Sequence, residues 1–269
     1  MVCVHGWPET KRLYHRVIGP FRDAGFDVAV PDLRAFGDSQ AGPDGFNDVV
    51  SHALDIHALV ADHLGYDSVV LVGGDLGGSV IQEIALRWPA WVERMVLFNS
   101  PLPFMKAAMA GLATRADAST RDYFERQGTD ADGLIDELKT PDACRNYVAQ
   151  FYGPRRWAHP GNFTPSDVAY HAEPFGDPQR LRETFGNYES VYSAAKRLER
   201  PLFNANLVTE TLIVFGTSDQ VIYPDFDKMA QIVFARHSGP VRIDDCGHFV
   251  PWEAPERFVA LTLDFCRRS

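Results

Sequence analysis

The segment Gly73-Gly74-Asp75-Leu76-Gly77-Gly78 constrains the fold of this chain more than any other. It follows the apolar run Ser68 to Val72 and precedes the helical pattern Ser79 to Trp88, so the sequence predicts a strand, a tight glycine turn and a helix. The spacing is that of a G-x-S-x-G elbow, whose small flanking residues let one side chain project from a strained turn. Here the projecting side chain is the carboxylate of Asp75.

A carboxylate at the tip of such a turn has a different chemistry from a serine hydroxyl. Aspartate side chains are ordinarily ionised at neutral pH, so a nucleophilic aspartate needs no base for its first attack. The N–H groups and the dipole at the start of the following helix favour a negative charge at Asp75. Glycine-flanked aspartates also serve as turn formers and helix N-caps, so the assignment of Asp75 as a nucleophile depends on the rest of the chain.

The composition limits the classes of protein to consider. A chain of 269 residues with 45% hydrophobic content can bury one large core, with a smaller inserted unit. The net charge of −10, with acids and bases scattered along the chain, argues against nucleic acid or an anionic membrane surface as a partner. Small neutral substrates fit better, and nothing calls for a metal or an organic cofactor. The sequence leaves the oligomeric state open, a homo-oligomer included.

The cysteines and the start of the chain bear on its location. Cys3, Cys144, Cys246 and Cys266 are far apart and lack zinc spacing, so we expect free thiols in a reducing compartment and a cytoplasmic protein. No transmembrane stretch, repeat or secretory signal is visible. Residues Met1 to Gly6 read as the end of a strand running into a loop, so we expect that the first strands are missing. A targeting segment ahead of residue 1 would then not be visible.

The alternation of strands and helices divides the chain into three parts. Residues 1–101 predict repeated strand-helix units, residues 102–205 predict helices rich in aromatic side chains, and residues 206–269 resume the alternation. We therefore predict an α/β fold with a mostly parallel sheet, helices on both faces and an inserted all-helical cap. The predicted strands are Asp27 to Val30, Ser68 to Val72, Arg94 to Phe98, Thr211 to Phe215 and Val241 to Ile243. The predicted helices outside the cap are Lys11 to Ala24, Val49 to Leu64, Ser79 to Trp88, Phe226 to Phe234 and Pro255 to Cys266.

Two more polar residues directly follow predicted strands. Asp219 lies in Gly216-Thr217-Ser218-Asp219-Gln220, and His248 lies in Asp244-Asp245-Cys246-Gly247-His248-Phe249. Ligands bind beyond the carboxyl ends of parallel strands, so we expect Asp75, Asp219 and His248 at one site. Their order is that of an elbow, an acid and a base, in which the acid orients the histidine. An ordinary turn aspartate and a capped surface histidine are the alternatives for the last two.

At these residues the chain resembles the α/β-hydrolase superfamily, and within it the epoxide hydrolases, over essentially its whole length. His5-Gly6-Trp7-Pro8-Glu9 is similar to the H-G-x-P oxyanion loop of that family, and Pro31 to Ser39 resembles the segment after its fourth strand. The resemblance implies that Asp75 is the nucleophile, Asp219 the acid and His248 the base.

The same resemblance implies further parts of the site. The backbone N–H groups of Trp7 and Leu76 would form the oxyanion hole, with His5, Gly6 and Pro8 as structural neighbours. The peptide bond between Trp7 and Pro8 would be cis. The family has two strands ahead of the position of His5, and this chain lacks them.

By that similarity, a small hydrophobic epoxide reacts in two steps. Asp75 attacks an epoxide carbon while a cap tyrosine donates a hydrogen bond to the departing oxygen, which gives a covalent ester. His248 then activates water, which hydrolyses the ester to a vicinal diol. Tyr188 resembles the second of the two cap tyrosines of the family. Thr120 falls where the first is found, so either Tyr123, one helical turn later, replaces it or one donor is missing.

Two other functions stay open. A haloalkane dehalogenase shares the fold and the aspartate nucleophile but stabilises the leaving halide with side-chain N–H donors. Leu76, directly after the nucleophile, has none, although Trp7 could supply one. A non-catalytic binding protein is the second alternative, because a fold alone does not fix a function. A serine esterase is not expected, since Ser79 lies inside a predicted helix and no serine occupies an elbow.

Overall fold

The computed structural model describes residues 1–268. At its centre is one sheet of five parallel strands, which follow one another across the sheet in chain order. The second strand is buried along its whole length, as expected for a parallel strand covered on both faces. The strands are β1 Val2–Val4, β2 Val69–Gly74, β3 Val92–Phe98, β4 Glu210–Gly216 and β5 His237–Ile243.

Helices fill the connections between these strands. Those of the sheet region are α1 His15–Asp23, α2 Val49–His57, α3 Asp75–Arg87, α10 Phe226–Val233, α11 Val250–Glu253 and α12 Pro255–Arg267. A 3-10 helix, Lys11–Tyr14, precedes α1, and a π-helical segment, Ala58–His63, continues α2. The helices between β3 and β4 are α4 Asp122–Thr129, α5 Ala131–Leu138, α6 Pro141–Ala149, α7 Pro165–Ala172, α8 Pro178–Thr184 and α9 Gly186–Tyr192.

The order in which the chain adds segments to the sheet reverses at β1, and this places helices on both faces of the sheet. Val2 pairs with Leu71 of β2 on one side and with Ala29 on the other, both in parallel. The chain therefore moves away from β2 through α1 and returns across β1 through α2. Right-handed crossovers in opposite directions put these two helices on opposite faces. Accordingly α1 packs on α12 and α2 packs on α3, and the predicted α/β fold is confirmed.

One predicted strand is wrong. The segment Asp27 to Val30 makes a single bridge, in which Cys3 N donates to Ala29 O and Ala29 N donates to Met1 O, both at 2.9 Å. It lies beyond β1, which is itself only three residues long. The segment does join the sheet, but Pro31 follows it, and a proline has no backbone N–H with which to extend the bridge into a ladder. The other predicted strands are present.

The chain leaves the sheet between β3 and β4. Helices α4 to α9 and short 3-10 turns occupy this segment, and none of its residues, all of which the structure describes, belongs to a strand. Aromatic side chains of this segment surround Trp7, which follows β1. The cap therefore lies over the first loop of the sheet, while its limits at residues 102 and 205 stay a prediction. Within residues 1–268, each helix is too short or too polar to cross a membrane.

Candidate active site

Asp75 lies in the turn between β2 and α3. Its φ of 47° is in the left-handed region, which residues other than glycine rarely adopt. The helix begins at Asp75 itself, earlier than the predicted start at Ser79. Gly77 allows the first turn of α3 to pack closely against β1, because a Cβ on it would lie 2.1 Å from the carbonyl oxygen of Val4. The first turn of the helix can thus lie directly against the end of β1.

Asp75, Asp219 and His248 lie together at the carboxyl ends of their strands. Nδ1 of His248 is 2.7 Å from Oδ2 of Asp219, and Nε2 of His248 is 3.4 Å from Oδ2 of Asp75. All three side chains are buried or nearly so. Burial acts to lower the pKa of His248, but the two carboxylates outweigh it and raise that pKa well above its usual value. The imidazole is thus held between an orienting acid and the candidate nucleophile.

Asn99 and two backbone donors hold the carboxylate of Asp219. Nδ2 of Asn99 donates to Oδ2 at 2.7 Å, and the N–H groups of Val221 and Ile222 donate to Oδ1 at 2.7 and 3.1 Å. Asn99 is fixed in turn by two hydrogen bonds with the backbone of Gly216. These bonds set the orientation of the carboxylate and so of the imidazole. Asn99 was not predicted, although it directly follows β3, as Asp75 follows β2.

The loop after β1 supplies a donor to Asp75. The backbone N–H of Trp7 donates to Oδ1 of Asp75 at 2.8 Å. Gly6 leaves the necessary room, because a Cβ on it would lie 2.5 Å from the same oxygen. Leu76, the other predicted donor, is the second residue of α3, so its N–H has no acceptor within the helix. The predicted cis peptide between Trp7 and Pro8 is present.

His5 and Glu9 fix this loop from within. Nε2 of His5 accepts from the N–H of Leu33 at 3.0 Å, so the ring is neutral, with its proton on Nδ1 beside the carbonyl of Gly6. Oε2 of Glu9 accepts from the N–H of Gly6 at 2.5 Å, and Oε1 is buried without a hydrogen-bond partner in residues 1–268. Burial raises the pKa of Glu9 to about 8, although His248 opposes the shift. No role for Glu9 was predicted beyond its place in the His5 to Glu9 motif.

A cavity of about 130 Å³ adjoins Asp75. Tyr123 and Tyr188 both line it. Thr120 is not in the lining, and its hydroxyl donates to the carbonyl of Asp117 at 2.8 Å. Burial raises the pKa of both tyrosines well above the usual value, and the nearby carboxylate of Asp75 adds to the shift. Two protonated tyrosines therefore line the same cavity as the candidate nucleophile.

Two aromatic side chains of the site were not predicted. Tyr223 lines the same cavity from the loop that carries Asp219. It was not predicted, because the resemblance to the epoxide hydrolases places the hydroxyl donors in the cap. Trp157 packs on His248 with ring centroids 4.9 Å apart, and its carbonyl accepts from the His248 N–H at 2.8 Å. The cap therefore contacts the candidate base directly.

Glu253 connects the His248 loop to the cap. Its carboxylate accepts from the N–H groups of Gly247 and Phe249, the two neighbours of His248, at 2.9 Å each. It also accepts from the N–H of His159 in the cap at 2.8 Å. Burial raises the pKa of Glu253 against the effect of these hydrogen bonds. One buried carboxyl group thus fixes the backbone on both sides of the base, which no local pattern predicted.

The indole N–H of Trp7 is already used within the protein. Nε1 donates to Oγ1 of Thr184 at 3.1 Å, and the Thr184 hydroxyl donates to the carbonyl of Leu181 at 2.7 Å. Leu76 has no side-chain donor. The side-chain N–H that a dehalogenase would need from Trp7 therefore has another acceptor.

The cysteines form no disulfide, and three of the four are buried. Residues 1–268 contain no group of three or more histidine, cysteine, aspartate or glutamate side chains that could hold a metal ion.

The parallel sheet, the elbow and the residues around it define an α/β hydrolase. Residues 1–261 match the sequence profile described as the Alpha/beta hydrolase family, and the chain belongs to that family. It is 29% identical over 274 residues to the soluble epoxide hydrolase of Corynebacterium sp. (strain C12), over 98% of this chain and 89% of that protein. The solved structure of the epoxide hydrolase CorEH without ligand has a TM-score of 0.80 at 25% identity, and the match covers 98% of this chain and 89% of that one.

An esterase shares the architecture as well. The malate-bound structure of a thermophilic esterase from Thermogutta terrifontis has a TM-score of 0.74 at 22% identity, with coverage of 99% of this chain and 88% of that one. Structural similarity at 22% sequence identity shows only that the two proteins share a fold. The predicted resemblance to the epoxide hydrolases is confirmed, whereas the roles of individual residues stay predictions.

Proposed function

We propose that this chain is an epoxide hydrolase that forms a vicinal diol through a covalent ester on Asp75. The observation that carries the proposal is a carboxylate in the elbow, with the Trp7 N–H 2.8 Å from one oxygen and His248 3.4 Å from the other. A carboxylate attacks an electrophilic carbon without the help of a base. His248 is therefore free to act as the base that activates water in the second step. The similarity to epoxide hydrolases supports the same chemistry.

The first step uses Oδ2 of Asp75. Trp7 engages Oδ1, so Oδ2 is the oxygen free to attack an epoxide carbon. The carbon–oxygen bond of the ring breaks, and the departing oxygen takes a proton from Tyr123 or Tyr188, which line the cavity. The tyrosine regains its proton from water. The product is an ester between Asp75 and a hydroxyalkyl group.

The second step depends on a change in the charge around His248. Asp219 and Asp75 both raise the pKa of His248, and formation of the ester removes the charge of Asp75. The pKa of the imidazole then falls, which favours its neutral, basic form. Nε2 makes no hydrogen bond with a described residue and can accept a proton from water. Water attacks Cγ of the ester while Nε2 takes its proton, and Oδ1 becomes the oxyanion on the Trp7 N–H. Collapse of the oxyanion breaks the bond between Cγ and Oδ2, and the His248 imidazolium returns the proton to the leaving oxygen, which releases the diol.

The dehalogenase alternative has less support. Carbon–halogen cleavage by Asp75 needs donors for the leaving halide, and the indole N–H of Trp7 is bonded to Thr184. A binding protein without activity has no need of the hydrogen-bonded set Asp219, His248 and Asn99.

The proposal is tested by diol formation from styrene oxide and bromide release from a bromoalkane, with Asp75→Ala as the control. We expect diol, no bromide, and no activity in the control. A single turnover in ¹⁸O-labelled water should put the label into the Asp75 carboxylate, because water attacks Cγ of the ester. Label in the diol alone would contradict the covalent route, and bromide without diol would make the protein a dehalogenase.

A further inference from the structure

Tyr223 brings a third tyrosine to the cavity beside Asp75, and it comes from the sheet region rather than from the cap. It lies between β4 and α10, four residues after Asp219. The two steps of the proposed reaction do not use it. A phenylalanine would fill the same space, so the feature that distinguishes this residue is its hydroxyl group.

The order of the strands fixes the direction of the Tyr223 side chain. Asp75 follows β2 and Tyr223 follows β4, and β3 lies between these two strands. The hydroxyl oxygen of Tyr223 accepts from the N–H of Leu102, beyond the end of β3, at 3.4 Å. The side chain therefore runs from the end of β4 back across the end of β3, towards Asp75.

The proton of the Tyr223 hydroxyl is not used within the protein. The oxygen accepts from Leu102, but the hydroxyl has no acceptor among residues 1–268, whereas buried tyrosine hydroxyls usually have a partner. Burial raises the pKa of Tyr223, and the Asp75 carboxylate adds to the shift, although the Leu102 N–H opposes it. The hydroxyl is thus protonated at neutral pH and is free to donate to a molecule in the cavity.

The backbone of Tyr223 is held on both sides. The N–H groups of Val221 and Ile222 donate to Oδ1 of Asp219 at 2.7 and 3.1 Å. The carbonyl of Tyr223 accepts from the N–H of Phe226, at the start of α10, at 2.9 Å. The turn that fixes the candidate acid therefore also fixes Tyr223. A donor that is held in place before the reaction is the most effective in stabilising a charge that develops during it.

We propose that Tyr223 is a third hydroxyl donor to the epoxide oxygen in ring opening. The inference rests on the proposed function and adds a catalytic residue to its first step. When Asp75 attacks a ring carbon, the carbon–oxygen bond breaks and its electron pair passes to the departing oxygen. One tyrosine hydroxyl transfers its proton to that oxygen and later recovers a proton from water, while the others donate hydrogen bonds to it. Tyr123 and Tyr188 act from the cap, and Tyr223 acts from the sheet.

The test isolates the first step in His248→Gln, in which the ester from styrene oxide should accumulate. We expect His248→Gln/Tyr223→Phe to form this ester at least about tenfold more slowly, because a hydrogen bond to a charged oxygen is lost. With the base intact, Tyr223→Phe should leave the rate of ester hydrolysis unchanged, as measured by intact mass after quenching. Tyr170→Phe is the matched control. It removes the hydroxyl of an exposed tyrosine of α7 outside the cavity lining and should change neither rate.

The cap tyrosines allow a second comparison in the same background. With Tyr123→Phe and Tyr188→Phe combined, ring opening should continue slowly through Tyr223. Adding Tyr223→Phe should then reduce the remaining rate by about tenfold again.

Three results would overturn the proposal: ester formation at the same rate with and without the Tyr223 hydroxyl, no further loss when Tyr223→Phe is added to the two cap variants, or equal slowing of ester formation and ester hydrolysis together with a lower Tm. The last result would indicate a structural role. Failure of the proposed function looks different, because His248→Gln with all its tyrosines would then form no ester.

Discussion

The backbone N–H of Trp7 donates to Oδ1 of Asp75 over 2.8 Å, so the donor predicted for the oxyanion hole already engages the candidate nucleophile. In the proposed reaction the same oxygen becomes the ester carbonyl and then the oxyanion. The donor therefore does not have to move between the two steps, which is the preorganisation that makes such donors effective. In that proposed reaction, one hydrogen bond both selects the attacking oxygen and stabilises the charge that develops later.

Gly6→Ala tests this geometry. The added Cβ would lie 2.5 Å from Oδ1 of Asp75, so it must displace either the carboxylate or the loop that carries Trp7. We expect kcat/KM for styrene oxide to fall by at least about 10²-fold. Gly19→Ala is the matched control, since a Cβ there meets nothing within 4 Å, and it should keep full activity. A Gly6→Ala protein as active as the wild type would contradict the geometry.

Glu253→Gln tests the positioning of His248 through its backbone. A glutamine accepts through only one atom, so its amide nitrogen would face the N–H of Gly247 or Phe249. We expect hydrolysis of the ester to slow more than its formation, so that the covalent intermediate accumulates and is seen by mass after quenching. Glu256→Gln, on the exposed side of α12, should show no accumulation. Equal loss of both rates together with a lower Tm would indicate a structural role only.

Tyr123→Phe and Tyr188→Phe test the source of the proton in ring opening. Both changes keep the ring and remove the hydroxyl, so we expect slower ester formation with unchanged ester hydrolysis. The double variant should lose about 10²- to 10⁴-fold, the usual contribution of general acid catalysis. Thr120→Val is the control, because that hydroxyl is bonded to Asp117. A double variant that opens the ring at the normal rate would show that neither tyrosine is the donor.

His52 makes the core sensitive to acid. The residue lies on α2, fully buried, and neither of its ring nitrogens has a hydrogen-bond partner in residues 1–268. Burial lowers the pKa of His52 to about 3, and Arg34 and His5 add to the shift. The unfolded state therefore binds the proton first. The free energy of unfolding should fall as the pH drops below about 6.5, by up to about 1.4 kcal/mol per pH unit.

His52→Leu should remove this contribution. We expect the variant to lose less stability than the wild type between pH 7 and pH 5, measured by urea denaturation at several pH values. His63→Leu removes an exposed histidine and should leave the wild-type slope unchanged. Parallel stability curves for His52→Leu and the wild type would show that His52 is not the cause.

The residues that could be predicted are those whose position is fixed by a nearby strand. Asp75, Asp219 and His248 each follow a buried strand, and parallel strands end at the same edge of a sheet. The residues that could not be predicted act over long separations. Asn99 donates to Asp219, 120 positions away, and Trp7 donates to Thr184, 177 positions away. A local sequence pattern does not indicate which distant acceptor a donor will meet.

The two errors in secondary structure have different origins. The segment Asp27 to Val30 has the composition of a strand, but Pro31 has no backbone N–H and ends its pairing with β1 after one bridge. The early start of α3 at Asp75 depends on the contact between Gly77 and Val4, which are far apart in the sequence.

The most direct test of the covalent route is the intact mass of His248→Gln after exposure to styrene oxide, with circular dichroism to show that the variant is folded. Loss of the base should block the second step and leave the first intact. We predict a mass gain equal to the whole epoxide, on the peptide that contains Asp75, since ring opening releases no leaving group. No gain in a folded variant, or a gain on another peptide, would contradict Asp75 as the nucleophile.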